Sequence, residues 1–426
     1  MAREMKDSGI EWIGEIPESW ECTRLKYLVS YNDDSLGETT DNDYEFDYID
    51  IGSVQYGKGI TQFQHMTFKD APSRARRIVK PDDVILSTVR TYLKAVATVP
   101  ESTNPLIAST GFIVLRAKDN AIIPRFLNYA VLSEAFISLV EAKSVGISYP
   151  AINASVVVDL VIPVPSLSEQ MIIARYLDAE CNRIDAVIEQ TRASIEEYKK
   201  LKQAVITQVV TKGIRDDCAW SECSYEWIGS YPSDWSIIRI KWLLNERNER
   251  SENGEEEPLS MSQKYGLIPT KEMDIVPNMA SSFIGAKLCY KDDLVFNKLK
   301  AHLGVFAVSQ YEGLVSPDYA VYYASSNVNL KYLEYLFKTP QYIGEFKKKS
   351  TGVGAGLTRL YTAGLYSIYC ALPPLNEQDA IVDYLNAKTK EIDTLIEKKE
   401  RLLSELENYK KTIIYEYVTG KKEVPA

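Results

Sequence analysis

At 426 residues, with 45% hydrophobic and 25% charged residues, the chain exceeds one ordinary core and has globular composition, which excludes a disordered or fibrous protein and predicts two or more domains. Its net charge of −10 argues against a protein that coats nucleic acid regardless of sequence. No run approaches the roughly 20 apolar residues of a membrane span, and MAREMKDSGI lacks a signal peptide's apolar core, so a cytoplasmic protein is expected, with its six cysteines as free thiols.

The first motif is EWIGEIPESW (Glu11 to Trp20). Apolar β-type runs follow (FDYIDIGSV, DVILSTV, GFIVLRA), interrupted by the basic segment KDAPSRARRIVK, and then the helical stretch PRFLNYAVLSEAFISLVEA. This predicts an α/β unit over residues 1–165. The prolines of IPVPS announce LSEQMIIARYLDAECNRIDAVIEQ. Ser166 or Ser168 is a candidate N-cap, Glu169 stands in the first turn, and no Gly or Pro follows until Gly213. One helix of about 40 residues is predicted within 166–213.

The chain then repeats itself. EWIGSYPSDW (Glu226 to Trp235) restates the first motif 226 − 11 = 215 residues on, and LNEQDAIVDYLNAKTKEIDTLIEK restates the helix start without a gap at 375 − 167 = 208. Between them lie a second set of β-type runs (DLVFNKL, GVFAVS, YAVYYA) and a second helical stretch, LKYLEYLFKTPQYIGEFKKK, which predicts a second unit over 214–372. After LPPLN, with Asn376 as candidate N-cap and Glu377 in the first turn, a second long helix is predicted within 373–426. The frame repeats while the loops do not: PDDVILSTVRTYL aligns with KDDLVFNKLKAHL, setting Arg90 opposite Lys300 among otherwise unrelated loop residues.

Both long helices carry a heptad seam with polar interruptions. It runs through Ile184, Ile188, Thr191, Ile195, Tyr198, Lys202 and Val205 in one, and Ile392, Ile396, Lys399, Leu403, Leu406, Lys410 and Ile413 in the other. Each seam needs a partner, and the linked copy has the higher effective concentration. The expected fold class is therefore α/β (α+β): two globular domains separated by two long helices that form an intramolecular antiparallel coiled coil, with a pseudo-two-fold repeat.

In this order and twice over, WIGEIPESW and WIGSYPSDW, VRTYLKAVA, DDLVFNKLKAHLGVFAVSQYEGLVSPDYAVY, and IPVPSLSEQ and LPPLNEQ resemble the specificity subunits of type I restriction–modification systems. The resemblance covers nearly the whole chain. It implies a noncatalytic subunit without cofactor that binds double-stranded DNA, two methyltransferase subunits and, for cleavage, restriction subunits. Each globular unit would be a target-recognition domain reading one half of an asymmetric split sequence. A modification-only or phage-defence system stays open as an alternative, as does a coiled-coil scaffold without DNA readout.

Base readout calls for Arg or Lys on guanine, Asn or Gln on adenine, and apolar groups on the thymine methyl. In the first unit the candidates are Tyr56 and Lys58, Arg74, Arg76 and Arg77, Arg90 and Lys94, and Ser148 and Tyr149; in the second they are Lys264 and Tyr265, Lys298, Lys300 and His302, and Thr358 and Arg359. For any one of these the plain alternative is a solvated surface residue. Other motifs point less far. The WIGxxPxxW tryptophans suit packing better than carbohydrate stacking, and Gly352, Gly354 and Gly356 lack a following Walker lysine. Pro317-Asp318 with Glu345 and Lys347 only mimics a nuclease set, and no metal site is expected, because His65 and His302 are the only histidines and no Cys/His cluster accompanies the close pair Cys218 and Cys223.

A spacing test follows from the seam. Deleting one heptad from each helix, Ile188 to Ser194 and Ile396 to Leu402, keeps the seam and shortens it by about 10 Å, or roughly three base pairs. Mapping of methylated bases should then show a shorter spacer or no modification. A folded variant that still modifies the original sequence would show that the helices do not set the spacing.

Overall fold

The computed structural model describes residues 3–263, 265–275, 282–325, 327–352 and 358–425. The chain divides into two compact units: Met1–Arg192 with Arg401–Ala426, and Ala193–Glu400. Each unit therefore takes part of both long helices, Leu167–Lys212 and Leu375–Val418. None of the described helices is long and apolar enough to cross a membrane.

Each unit is built on a four-stranded antiparallel sheet of the same order. In the first it runs Val96–Thr98, Val84–Ser87, Phe112–Ala117, Val29–Tyr31; in the second Phe306–Val308, Leu294–Asn297, Tyr319–Ala324, Leu244–Arg247. The shared PDD and KDD phrases explain part of this likeness. Asp82 and Asp292 adopt left-handed backbone (φ 69° and 68°), and the next aspartates, Asp83 and Asp293, are buried and hold Arg116 and Arg247. An aspartate pair at a strand entry tolerates the left-handed turn and supplies a carboxylate to bind the neighbouring strand.

A second sheet in the first unit has the order Gln64–Thr67, Glu45–Ile49, Leu106–Ser109, Ala75–Val79, with one parallel pairing. Its counterpart in the second unit is reduced to the ladders Leu259–Ser262 with Gly266–Pro269 and Lys287–Cys289 with Gly313–Val315, joined by the parallel bridge Pro258 to Leu314. The helical stretches each break in two, Pro124–Leu132 and Glu134–Ala142, then Leu330–Phe337 and Pro340–Lys349. Pro340 forces the second break, since it lacks the N–H that would continue the helix and disfavours helical backbone at Thr339.

The repeated tryptophans are core residues, Trp20 fully buried and Trp235 nearly so. The Trp20 indole N–H donates to Glu169 at 2.9 Å and that of Trp235 to Glu377 at 3.2 Å, each carboxylate lying in the first turn of a long helix. The following glutamines, Gln170 and Gln378, are buried and bridge backbone: their side-chain N–H groups donate to Pro165 and Pro373, and their oxygens accept from the N–H groups of Ile123 and Asn329. The helices end at Gly213 and Gly420, both left-handed (φ 80° and 71°), where a Cβ would lie 3.4 Å from the Trp235 ring and 3.2 Å from the Trp20 ring. Ser166 stands just before the first long helix, whereas Asn376 lies inside the first turn of the second, whose preceding residue is Pro374. Proline needs no N–H there, so that helix starts without the expected side-chain cap.

Within each unit the two long helices pack antiparallel. Lys410 donates to both carboxylate oxygens of Asp185 at 2.7 Å in the first unit, and Lys202 to both of Asp393 at 2.7 and 2.6 Å in the second. The same repeat step carries Asp185 onto Asp393 and Lys202 onto Lys410, so the two polar interruptions of the seam are one reciprocal pair. Ile184, Ile188, Ile195, Ile392, Ile396 and Ile413 are buried along the seam, while Val205 and Leu403 are partly buried. The Lys399 ammonium lies over the Tyr198 ring.

Lys410 also donates to the Gly57 carbonyl and is more buried than Lys202, with 13% against 31% of its side chain exposed. Lys410→Met should therefore lower stability by about 1–3 kcal/mol and Lys202→Met by less. Denaturant titration followed by circular dichroism measures this, and equal losses would contradict it.

Candidate nucleic-acid interface

The strand Val84–Ser87 leads into Thr88–Lys94, where the short turn Thr91–Leu93 is flanked by Arg90 (φ 52°) and Lys94 (φ 50°) in left-handed backbone. Such conformations cost non-glycine residues about 1 kcal/mol each and need local contacts to hold them. Lys94 has them: its ammonium sits 2.6 Å from Glu134 and 3.8 Å from Glu141, and lies over the Tyr56 ring. At the equivalent position the second unit has Gly304 (φ 75°), which adopts this turn without strain.

A second loop packs beside that turn. Val145 and Ala151 exchange both backbone hydrogen bonds, Ile152 N–H donates to Thr88 O at 2.8 Å, and the Thr91 hydroxyl donates to Ser144 at 2.9 Å. This seats Tyr149 so that the Arg90 guanidinium lies over its ring, 5.1 Å from the centroid. The second unit repeats the arrangement. The hairpin Thr351–Gly352 with Thr358–Arg359 is anchored by Leu360 N–H donating to Lys298 O, and Leu360 follows Arg359 as Ile152 follows Ala151. In both units a strand-end loop and a hairpin meet at the end of an interior strand of the main sheet, and their residues differ.

Arg90 and Tyr149 come together in the first unit, with Ser148 preceding Tyr149 in the same loop, and Lys298, Lys300, Thr358 and Arg359 lie on the adjoining segments of the second. Among the described residues neither Arg90 nor Lys300 has an ion pair. The other cations are mostly engaged. Arg74 pairs with Asp50, Arg76 lies over Phe68 and near Glu38, Lys58 is 3.8 Å from Glu189, and Arg359 pairs with Asp318. Arg77 leaves its buried Nε without a partner among the described residues, and so does His302 its Nδ1.

The Tyr56 hydroxyl donates to Glu134 at 3.0 Å with the Leu132 carbonyl 3.3 Å away, which turns it toward its own domain. Burial opposes ionisation of Glu134, but bonds from Lys94 and Tyr56 and the charge of Lys411 hold its carboxyl below the usual range. Burial, with Lys287 and Arg359 nearby, pushes the Lys298 ammonium below its ordinary value. Tyr265 is about half exposed. Lys264 lies outside the described residues, as do Gly354 and Gly356. Asp318 is taken by Arg359 and the buried Glu345 by Lys348, which explains both without nuclease chemistry.

Groove chemistry selects Ser148 and Tyr149 from VGISYPAI and passes over Val145 and Ile147, both strongly exposed. The available signal was two β-branched apolar residues among loop-forming Gly, Ser and Pro.

Arg90→Ala and Lys300→Ala should each weaken duplex binding by about 1–3 kcal/mol and relax choice at one position, if each contacts a base. Titration against duplexes substituted one base pair at a time measures this. Uniform weakening across sequences would reassign the residue to a phosphate contact.

Residues 17–197 match the type I restriction modification DNA specificity domain. Across 97% of this chain and 96% of its own length, a Methanocaldococcus jannaschii protein provisionally named the MjaX specificity subunit of a type I restriction enzyme is 26% identical. The type I restriction enzyme EcoKI specificity subunit of Escherichia coli K12 is 21% identical over 96% of this chain and 90% of its own. Among solved structures, a chain from a study of complex assembly and conformational transition in the type I R-M system matches with TM-score 0.76 at 22% identity, covering 96% of this chain and 99% of that one. The HsdS subunit from Thermoanaerobacter tengcongensis matches with TM-score 0.56 at 23% identity, covering 96% and 98%.

Proposed function

Since the chain belongs to the specificity subunits of type I restriction–modification systems, we propose that it is the noncatalytic subunit that selects their DNA target. Each unit reads one half of an asymmetric split sequence in double-stranded DNA. The observation that carries this reading is the pair of matched strand ends: one frame, with Arg90 and Lys300 at the same position in each copy, surrounded by different loops. A shared frame presents its readers to the double helix in the same way, and different side chains make the half-sites differ. The chain works with two methyltransferase subunits for modification and with restriction subunits for cleavage, in the cytoplasm where the cell's DNA lies. Residues 1–165 and 214–372 act as the two target-recognition domains.

The test is methylation in a reconstituted system. The purified chain alone should transfer no methyl group; with its methyltransferase subunits it should direct modification of one split sequence. Replacing residues 1–165 by the matching unit of a relative should change one half of that sequence and keep the other. Methyl transfer by the lone chain, or change in both halves, would contradict the proposal.

A further inference from the structure

The loop from Val145 to Ala151 carries an unusual load for a surface turn. Ile147 is fully exposed (102%), Val145 is 81% and Tyr149 66% exposed, and across the adjoining turn Tyr92 is 52% exposed. These side chains do not hang on a free strand. The loop is closed by the reciprocal hydrogen bonds of Val145 and Ala151, tied to the main sheet at the end of an interior strand by the Val89 to Ala151 bridge, and narrowed at Gly146 (φ 118°), where a Cβ would come within 3.1 Å of the Tyr149 carbonyl. Its base is fixed and its apolar tip is solvated. An isoleucine left in water at a fixed position gains when something apolar covers it.

The neighbouring chemistry limits what that cover can be. Arg90 stands beside the loop with one face against Tyr149 and with no ion pair among the described residues, so its N–H edges are free to meet acceptors. A surface that sets unpaired N–H donors beside a bare aliphatic group fits a major groove in which base acceptors adjoin a methyl group. Thymine is the only standard base that presents a methyl there.

We propose that Ile147 is a specificity-determining residue that packs on the 5-methyl group of a thymine in the half-site read by the first unit. This rests on the reading of the chain as a DNA selector and adds the contact by which one base is chosen. The corresponding segment of the second unit, TGVGAGLT, contains neither isoleucine nor an aromatic residue.

The experiment uses the full chain with its methyltransferase subunits and duplexes of the target identified by mapping methylated bases. Each thymine of the first half-site is replaced in turn by deoxyuridine, which removes only the methyl group. Binding is titrated for the wild type, Ile147→Ala and Ile147→Val. At one position deoxyuridine should weaken wild-type binding by about fourfold, the worth of one buried methyl. Ile147→Ala should bind the thymine duplex more weakly and lose that discrimination, while Ile147→Val should retain part of it. Substitutions in the second half-site should affect all three proteins equally.

The inference is overturned if no thymine of the first half-site is sensitive, or if Ile147→Ala still discriminates fully. It is equally overturned if 2-aminopurine fluorescence shows that Ile147 unstacks a base step instead of contacting a methyl group. Failure of the underlying reading looks different, because the wild-type complex would then not distinguish its target from a scrambled duplex at all.

Discussion

One indole hydrogen bond at the start of each long helix holds the arrangement together. A helix of 44 or 46 residues has a narrow apolar stripe and cannot be enclosed by a domain of ordinary size, so its ends must be fixed by specific contacts. Trp20 supplies them in the first unit. Its N–H reaches Glu169 at the start of one helix, and its ring lies beside Gly420 at the end of the other, where a Cβ would come within 3.2 Å of it. Trp235 does the same with Glu377 and Gly213. A carboxylate in the first turn also meets the positive end of the helix dipole. Glycine at the end adopts the left-handed backbone freely, and a Cβ there would meet Pro17 at 2.4 Å in the first unit and the Glu377 carboxylate at 2.9 Å in the second. The repeated phrase is therefore repeated because each unit has one helix start and one helix end to join.

Much of this is legible in the sequence. The seam is legible at Ile184, Ile188, Ile392 and Ile396, because heptad periodicity is local and apolar burial follows it closely, while its antiparallel sense follows from a two-fold relation between the copies. The strands Val84–Ser87 and Leu294–Asn297 were visible as β-branched and aromatic runs. What escaped was non-local. Nothing in the spacing of Trp20 and Glu169, 149 residues apart, announces a hydrogen bond. Asn376 resembles an N-cap by residue type, yet the helix begins at Leu375, two residues before an Asn376 cap would start it, because Pro374 sets the start.

The candidate interface was only partly legible, for a related reason. A cation's residue type gives its charge but not its partner. Lys94 and Arg90 stand four residues apart with nearly the same left-handed backbone, yet Lys94 is held by Glu134 and Glu141 while Arg90 meets only the Tyr149 ring. Sorting them needs the position of a helix distant in sequence. Donor and acceptor chemistry singles out polar residues and misses Ile147, although an exposed aliphatic group on a fixed loop is the rarer feature.

The polar interruptions in the seam make sense on the same physical basis. A lysine at an apolar seam position gives up burial energy, which its bonds to the facing aspartate offset, more fully at the well-buried Lys410 than at Lys202. Specificity is what such a pair adds. A purely aliphatic seam tolerates a shift of one heptad, whereas Lys410 satisfies both Asp185 and the Gly57 carbonyl in one alignment only. The reciprocal pair of Lys202 and Asp393 imposes the same alignment on the other half of both helices. With register fixed twice in the helices and the sheets fixed by buried strands, the loops around Arg90 and Lys300 carry little of the folding energy. Such loops can differ between the two copies, and change in either, without disturbing the frame that presents them.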